Sequence, residues 1–223
     1  MWRYICWKET LYWEEEPVAE LELTVPLPVE HDRAADRMGR WCARLGALWY
    51  RRWTGEFYRA ACADCARARE RARPFWPWRA RLSAALTYED DRVCSLWMEG
   101  GERQGREEGR AVRTAATWTR QDGFPLTLGE LFPGDRHWRR QVLAQVREGL
   151  RGMREEGIML WKDAERLAET RFSAGCFFLT QAGLRIYFPT GALGPNESGI
   201  IEFLLPLEQK NQTLDGQKNP EKV

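Results

Sequence analysis

Residues 176–207, CFFLTQAGLRIYFPTGALGPNESGIIEFLLPL, decide the fold. Phe177, Phe178 and Leu179 form one β-rich run. Residues 184–188 alternate apolar side chains with Arg185 and Tyr187, and residues 200–205 alternate around Glu202. Gly183, Gly191 and Gly194 punctuate the connections, so the stretch predicts three strands and two loops with no room for a helix. None of its residues is a nucleophile, a metal ligand or a phosphate cradle, and its side chains are those of a scaffold.

Working outward, residues 161–170 predict a short helix. Before it, Trp138, Val142, Val146, Leu150 and Met153 recur every three or four residues, one face of a longer helix that Asp135 is placed to cap. Residues 80–88, 93–98 and 109–120 read as a strand meander. The charged, glycine-rich GGERQGREEG of residues 100–109 predicts a long exposed hairpin loop between the last two. Further back, Met38, Trp41, Cys42, Leu45, Leu48 and Trp49 make one apolar stripe. The helix it defines starts at Asp32, carries a flaw near Thr54 and Gly55, and ends before Pro74 and Pro77. Residues 19–27 alternate Leu21, Leu23 and Val25 with Glu20, Glu22 and Thr24, the pattern of a strand with one wet face. Residues 1–19 show no clear period and end at Glu14-Glu15-Glu16-Pro17, which reads as a break. The resulting class is α+β: antiparallel sheet with two main amphipathic helices packed on one face. Residues 1–19 form an N-terminal extension, 20–207 one domain, and the Gln-, Asn- and Lys-rich residues 208–223 a disordered tail.

Two blocks carry a family resemblance. Phe-Phe-Leu-Thr-x-x-Gly-Leu-x-Ile-Tyr-Phe at residues 177–188, followed by Gly199-Ile200-Ile201-Glu202-Phe203 and Pro206, is one. Leu126-Thr127-Leu128-Gly129-Glu130-Leu131-Phe132 is the other. Together they resemble the domain of unknown function in RsiV-type anti-sigma factor ectodomains and PdaC-type peptidoglycan deacetylases. The clear match covers residues 122–207. Where relatives carry a Pro-Tyr-x-x-Ala-Pro-Tyr loop, this chain has Pro189-Thr190-Gly191-Ala192-Leu193-Gly194-Pro195-Asn196. The resemblance implies a fold and a binding style. In the anti-sigma relatives the domain is a sensor that binds lysozyme, and in the deacetylases catalysis resides on a separate domain, so the ligand implied here is a protein or a cell-wall glycan.

Composition bounds the alternatives. With 223 residues, 43% hydrophobic and 30% charged, the chain can bury a substantial core, and its twelve tryptophans belong mostly in or beside that core. A net charge of +1 supplies no global field toward nucleic acid or an anionic membrane. Only five of the 34 basic residues are lysine, a bias that follows from a GC-rich genome as readily as from function. No segment approaches the roughly eighteen consecutive apolar residues that a membrane span requires. The first residues also lack a basic, apolar and small-residue leader, which as written points to the cytoplasm, although the relatives act outside the cell. The six cysteines, Cys6, Cys42, Cys62, Cys65, Cys94 and Cys176, are scattered and expected as free thiols.

The candidate sites are few. Cys62 and Cys65, one helical turn apart, could hold a metal or form a redox pair if Cys42 or Cys94 joined them. Buried or idle thiols are the plainer reading. Arg67, Arg69, Arg71, Arg73, Arg79 and Arg81 interleave with Phe75, Trp76 and Trp78, a pattern that could stack bases and meet phosphate. A solvated helix end followed by a Trp-rich strand entry gives the same pattern. Ser83, Ser95, Ser173 and Ser198 sit in no nucleophile elbow, and His31 and His137 are the only histidines. The chain is therefore read as a non-catalytic binding domain requiring no cofactor. Its contact regions are expected at Phe75, Trp76 and Trp78, at residues 100–109, and at the 190–198 loop with Asn196, with Tyr187 on the neighbouring strand. Such loops on a rigid sheet commonly carry recognition.

Overall fold

The computed structural model describes residues 1–107 and 109–206, so the tail expected at 208–223 lies outside the described residues. The molecule is α+β, with a five-stranded and a three-stranded sheet, each lying against its own helices.

The N-terminal residues correct the sequence reading. Instead of an extension they form β1 (Trp2–Trp13), which pairs antiparallel with β2 (Glu16–Pro28) from Trp2↔Pro28 to Trp13↔Glu16. The supposed break is the hairpin turn itself. Glu14 and Glu15 both take positive φ, 48° and 68°, the conformation that a two-residue turn needs to match strand twist. In β2, Leu21 and Leu23 point inward as their alternation required.

The long helix has the expected flaw. Asp32 accepts from the Ala35 N–H at 2.7 Å and starts α1 (Arg33–Arg52). A wide π turn at Trp53–Phe57 then leads into α2 (Tyr58–Glu70). Within the flaw Thr54 donates to the Tyr50 carbonyl, and the register change turns both Trp53 and Phe57 into the core. Because this helical segment separates them, β2 and β3 (Trp78–Glu89) run parallel, the one departure from the antiparallel sheet expected. β4 (Val93–Arg103) and β5 (Arg110–Thr119) complete the order β1-β2-β3-β4-β5. The loop between them is shorter than its composition suggested, since Gly100 and Gly101 remain in β4. Gly100 lies directly against the Trp49 indole, an approach that leaves no space for a side chain.

The second layer starts with a 3-10 turn at Leu128–Leu131, closed by a reciprocal capping box between Thr127 and Glu130. α3 (Trp138–Glu155) begins two residues later than a cap at Asp135 would set it. Asp135 caps no helix and accepts instead from the His137 N–H at 2.7 Å. α4 (Ala164–Arg171) follows, then β6 (Phe177–Thr180), β7 (Gly183–Phe188) and β8 (Ile201–Leu205), antiparallel neighbours in that order. The connections hold only the short 3-10 turn at Asn196–Ser198.

The helices therefore do not share one face of one sheet. α1 and α2 cover one face of the large sheet, while α3 and α4 pack on the small one. The small sheet lies against part of the large sheet's other face. Ser95 and Thr117 share a buried hydroxyl contact of 2.7 Å, and Ser95 Oγ also accepts from the Leu179 N–H at 2.9 Å. Beside it, Arg113 reaches Glu99 at 2.7 Å and Glu202 on β8. Its guanidinium lies over Trp97 at 4.7 Å and near Phe178 and Tyr187. A cation held between two carboxylates and three rings fastens the two sheets together.

Candidate binding groove

Two of the three expected contact regions meet. The pairing Arg79↔Arg103 brings the entry to β3 and the exit of β4 to the same end of the large sheet. Residues 74–78 and 104–107 thus face each other across a groove of about 530 Å³, with Asp64, Arg67 and Arg73 along one side. Trp76 is 40% exposed, and the Arg106 guanidinium stacks over its ring at 4.0 Å. Gly105, at φ 56°, turns the chain so that its backbone passes the Trp76 carbonyl. Phe75 is half-buried against the core. Trp78 is buried: it meets Phe57 edge-on, and its indole N–H donates to Asp64 Oδ2 at 3.3 Å. The other oxygen of Asp64 takes Arg73 at 2.5 Å, so one carboxylate fixes both the floor and the wall of the groove. Gln104 and Arg106 fall within the expected 100–109 region, whereas sequence reasoning missed Asp64, which α2 brings beside the groove through a long-range packing contact.

The third region stands apart. Tyr187 is buried at the seam, where its hydroxyl donates to the Arg113 carbonyl and burial pushes its phenol up. This corrects its reading as a contact residue: the outer face of β7 is covered by the large sheet. Asn196 is exposed, but its loop is tied down. Arg171 donates to the Gly191 and Ala192 carbonyls, Ser198 to Met159, and Thr190 to Ala111.

The competing chemistries meet other geometry. Cys65 is buried, with its thiol pushed up by desolvation, and Cys62 is half-buried one turn earlier. Cys42 and Cys94 are both fully buried in the large-sheet core, and burial pushes each thiol up to about 12. Among the described residues no three His, Cys, Asp or Glu side chains converge as a metal site would need. In the arginine run, Arg67 and Arg73 pair with Asp64, Arg69 with Glu14, Arg79 with Glu20 at 2.8 Å, and Arg81 with Glu22. Most of this positive charge is thus matched by carboxylates. Each candidate serine has a structural bond: Ser83 donates to Glu99, Ser198 to Met159, Ser173 accepts from Gly175, and Ser95 ties the sheets. His31 and His137 are exposed.

A larger open trench of about 770 Å³ crosses the free part of the large sheet's outer face. Its floor is Gly101 and Ala111, and its wall is the alternating row Lys8, Glu22 and Arg81. The strand alternation in β2 foretold the wet face to which Glu22 belongs, but not the trench or its shape.

An α+β domain with this pair of sheets defines a fold class already seen in crystals. One solved structure, a member of the DUF3298 family from Bacteroides fragilis, superposes with a TM-score of 0.65 at 14% identity, covering 92% of this chain and 90% of that one. A DUF3298 family protein from Pseudomonas aeruginosa PAO1 superposes with a TM-score of 0.57 at the same identity and coverage. At that identity the likeness is one of fold. No family model matches the sequence, and no curated protein does. No helix among the described residues is long and apolar enough to cross a membrane.

Proposed function

We propose that this chain is a non-catalytic binding module, of the kind found in the RsiV-type ectodomains its sequence resembles. Its recognition site is the groove between residues 74–78 and 104–107, and its ligand is a protein or a cell-wall glycan. The observation that carries the reading is Trp76: an indole 40% exposed, set in a concave site with Asp64, Arg73 and Gln104 around it. A flat apolar ring surrounded by a few fixed polar groups suits the apolar face of a sugar or a partner's aromatic side chain. Asp64 is held by Trp78 and Arg73, so the groove is formed before a ligand arrives. The likeness to DUF3298 structures supports the fold on which the reading depends.

Tryptophan fluorescence titrations with lysozyme and with soluble peptidoglycan fragments test it. One of the two probes should shift the emission saturably, and Trp76→Ala should weaken that binding by about tenfold or more. Binding of neither probe up to millimolar concentration, or equal binding by Trp76→Ala, would defeat the proposal.

A further inference from the structure

The open edge of the large sheet carries a second inference. β1 is bonded on one side only, to β2. The Val29 N–H donates to the Met1 carbonyl at 2.9 Å, which makes Met1 and Val29 a hydrogen-bonded pair. By antiparallel alternation Arg3, Ile5, Trp7 and Glu9 also bond inward to β2. Trp2, Tyr4, Cys6, Lys8 and Thr10 turn their N–H and C=O groups out to the free edge. Natural edges of this length are usually blunted by charge, proline or a covering element. Here Tyr4, Ile5 and Trp7 are 44%, 48% and 48% exposed, and Lys8 is the one charge among the outward-bonding residues.

We infer that β1 pairs antiparallel with β1 of a second copy about a two-fold axis through Cys6, joining the two large sheets into one. That register is chosen by the side chains. It sets Arg3 opposite Glu9 and Ile5 opposite Trp7 on the helix-covered face, and Tyr4 opposite Lys8 on the other. An axis through Lys8 opposes two lysines, one through Glu9 opposes two carboxylates, and one through Trp7 sets Ile5 against Glu9. An independent feature agrees. Glu9 Oε2 is the only buried side-chain oxygen or nitrogen among the described residues without a hydrogen-bond partner of its own, although the Tyr50 hydroxyl lies beside the same carboxylate, and desolvation together with that carboxylate raises the phenol. The Cys6 axis brings the guanidinium of Arg3 from the second copy to Glu9 on that face. A two-fold interface of this kind is self-complementary, so each edge satisfies the other and the assembly closes at two.

Sedimentation velocity on the whole chain across nanomolar to high micromolar concentrations, under reducing conditions, tests the inference. A concentration-dependent dimer is expected. Arg3→Glu should weaken it by about a hundredfold through like-charge opposition, and the double change Arg3→Glu with Glu9→Arg should restore it. Diamide should then join the two Cys6 thiols, which lose their hydrogens to the diazene as it becomes a hydrazine, and Cys6→Ser should abolish that link. Cys6→Pro removes an outward N–H without touching the ladder to β2, and it should give monomer with an unchanged circular dichroism spectrum. A monomer at every concentration overturns the inference. So does a dimer that is indifferent to Arg3→Glu and gives no Cys6 link.

Discussion

The two sheets bury themselves in opposite ways. The small sheet lies between α3 and α4 on one side and the large sheet on the other. Phe177 and Ile186 face the helices, Phe178 and Tyr187 face the large sheet, and all four are buried. The large sheet is covered fully only by α1 and α2. Its other face stays partly open as a trench, its edge β1 stays free, and its far end carries the groove. A strand constrained on both faces has almost no freedom of sequence, which explains why the recognisable blocks lie in the small layer. A sheet constrained on one face can vary, and the candidate interaction surfaces all lie there.

Breaking the seam is the severest test of this division. Arg113 has a side chain only 11% exposed and pairs with Glu99 on one sheet and Glu202 on the other. Arg113→Ala leaves two carboxylates facing each other with little solvent, and should cost about 3–5 kcal/mol. Urea unfolding followed by fluorescence and by circular dichroism would show the loss. Separation of the two curves would mean that the layers then unfold independently.

Alkali should act first on the large layer, before it reaches the buried Tyr187 phenol at the seam. Cys42 and Cys94 have thiols raised from 9.0 to about 12 by burial, so the unfolded chain loses these protons before the folded one. Their contribution is complete below pH 9.0 and declines as pH rises from 9.0 towards 12, by about 1.4 kcal/mol per pH unit for each thiol. Urea midpoints measured across that window should fall, and Cys94→Ala should make the slope shallower even though it lowers the starting stability.

How far the sequence foretold this arrangement depends on how many faces an element hides. The stripe in α1, its flaw at Thr54 and Gly55, and the alternation of β2 were legible because each has one dry face. β1 was not, because it carries aromatic residues on both faces and buries none of them fully, even where Leu11 and Trp13 pack on the core. Tyr187 was misplaced because alternation gives the two faces of a strand but not what covers the second one. The groove was legible only in halves. Trp76 and the 104–107 turn stood out by composition, while the pairing Arg79↔Arg103 that joins them is a long-range property. Charge in residues 100–109 also concealed that Gly100 and Gly101 are strand residues and that Gly100 is pressed against the Trp49 indole.

That concealment gives a finer comparison. At Gly100 an added Cβ would overlap the Trp49 indole, so Gly100→Ala should cost about 1–3 kcal/mol. Gly149 in α3 faces the Phe203 ring, and Gly149→Ala causes a similar overlap. There the helix gains about 1 kcal/mol of propensity from alanine, so the net loss should be smaller. Thermal unfolding of the two variants side by side measures the difference, and equal losses would show that the two layers resist overpacking alike.

The smallest effect has the opposite sign. Glu15 holds φ at 68° in the β1–β2 turn, where a side chain costs about 1–2 kcal/mol that glycine does not incur. Glycine loses more chain entropy on folding, about 0.5–1 kcal/mol, so Glu15→Gly should stabilise by about 0.5–1 kcal/mol net. That corresponds to a rise of about 2 °C in Tm. Glu14 stays in place with its 2.8 Å contact to Arg69, so the change isolates backbone strain. A fall in Tm would mean that this hairpin is held by its strands, with a turn that glycine only loosens.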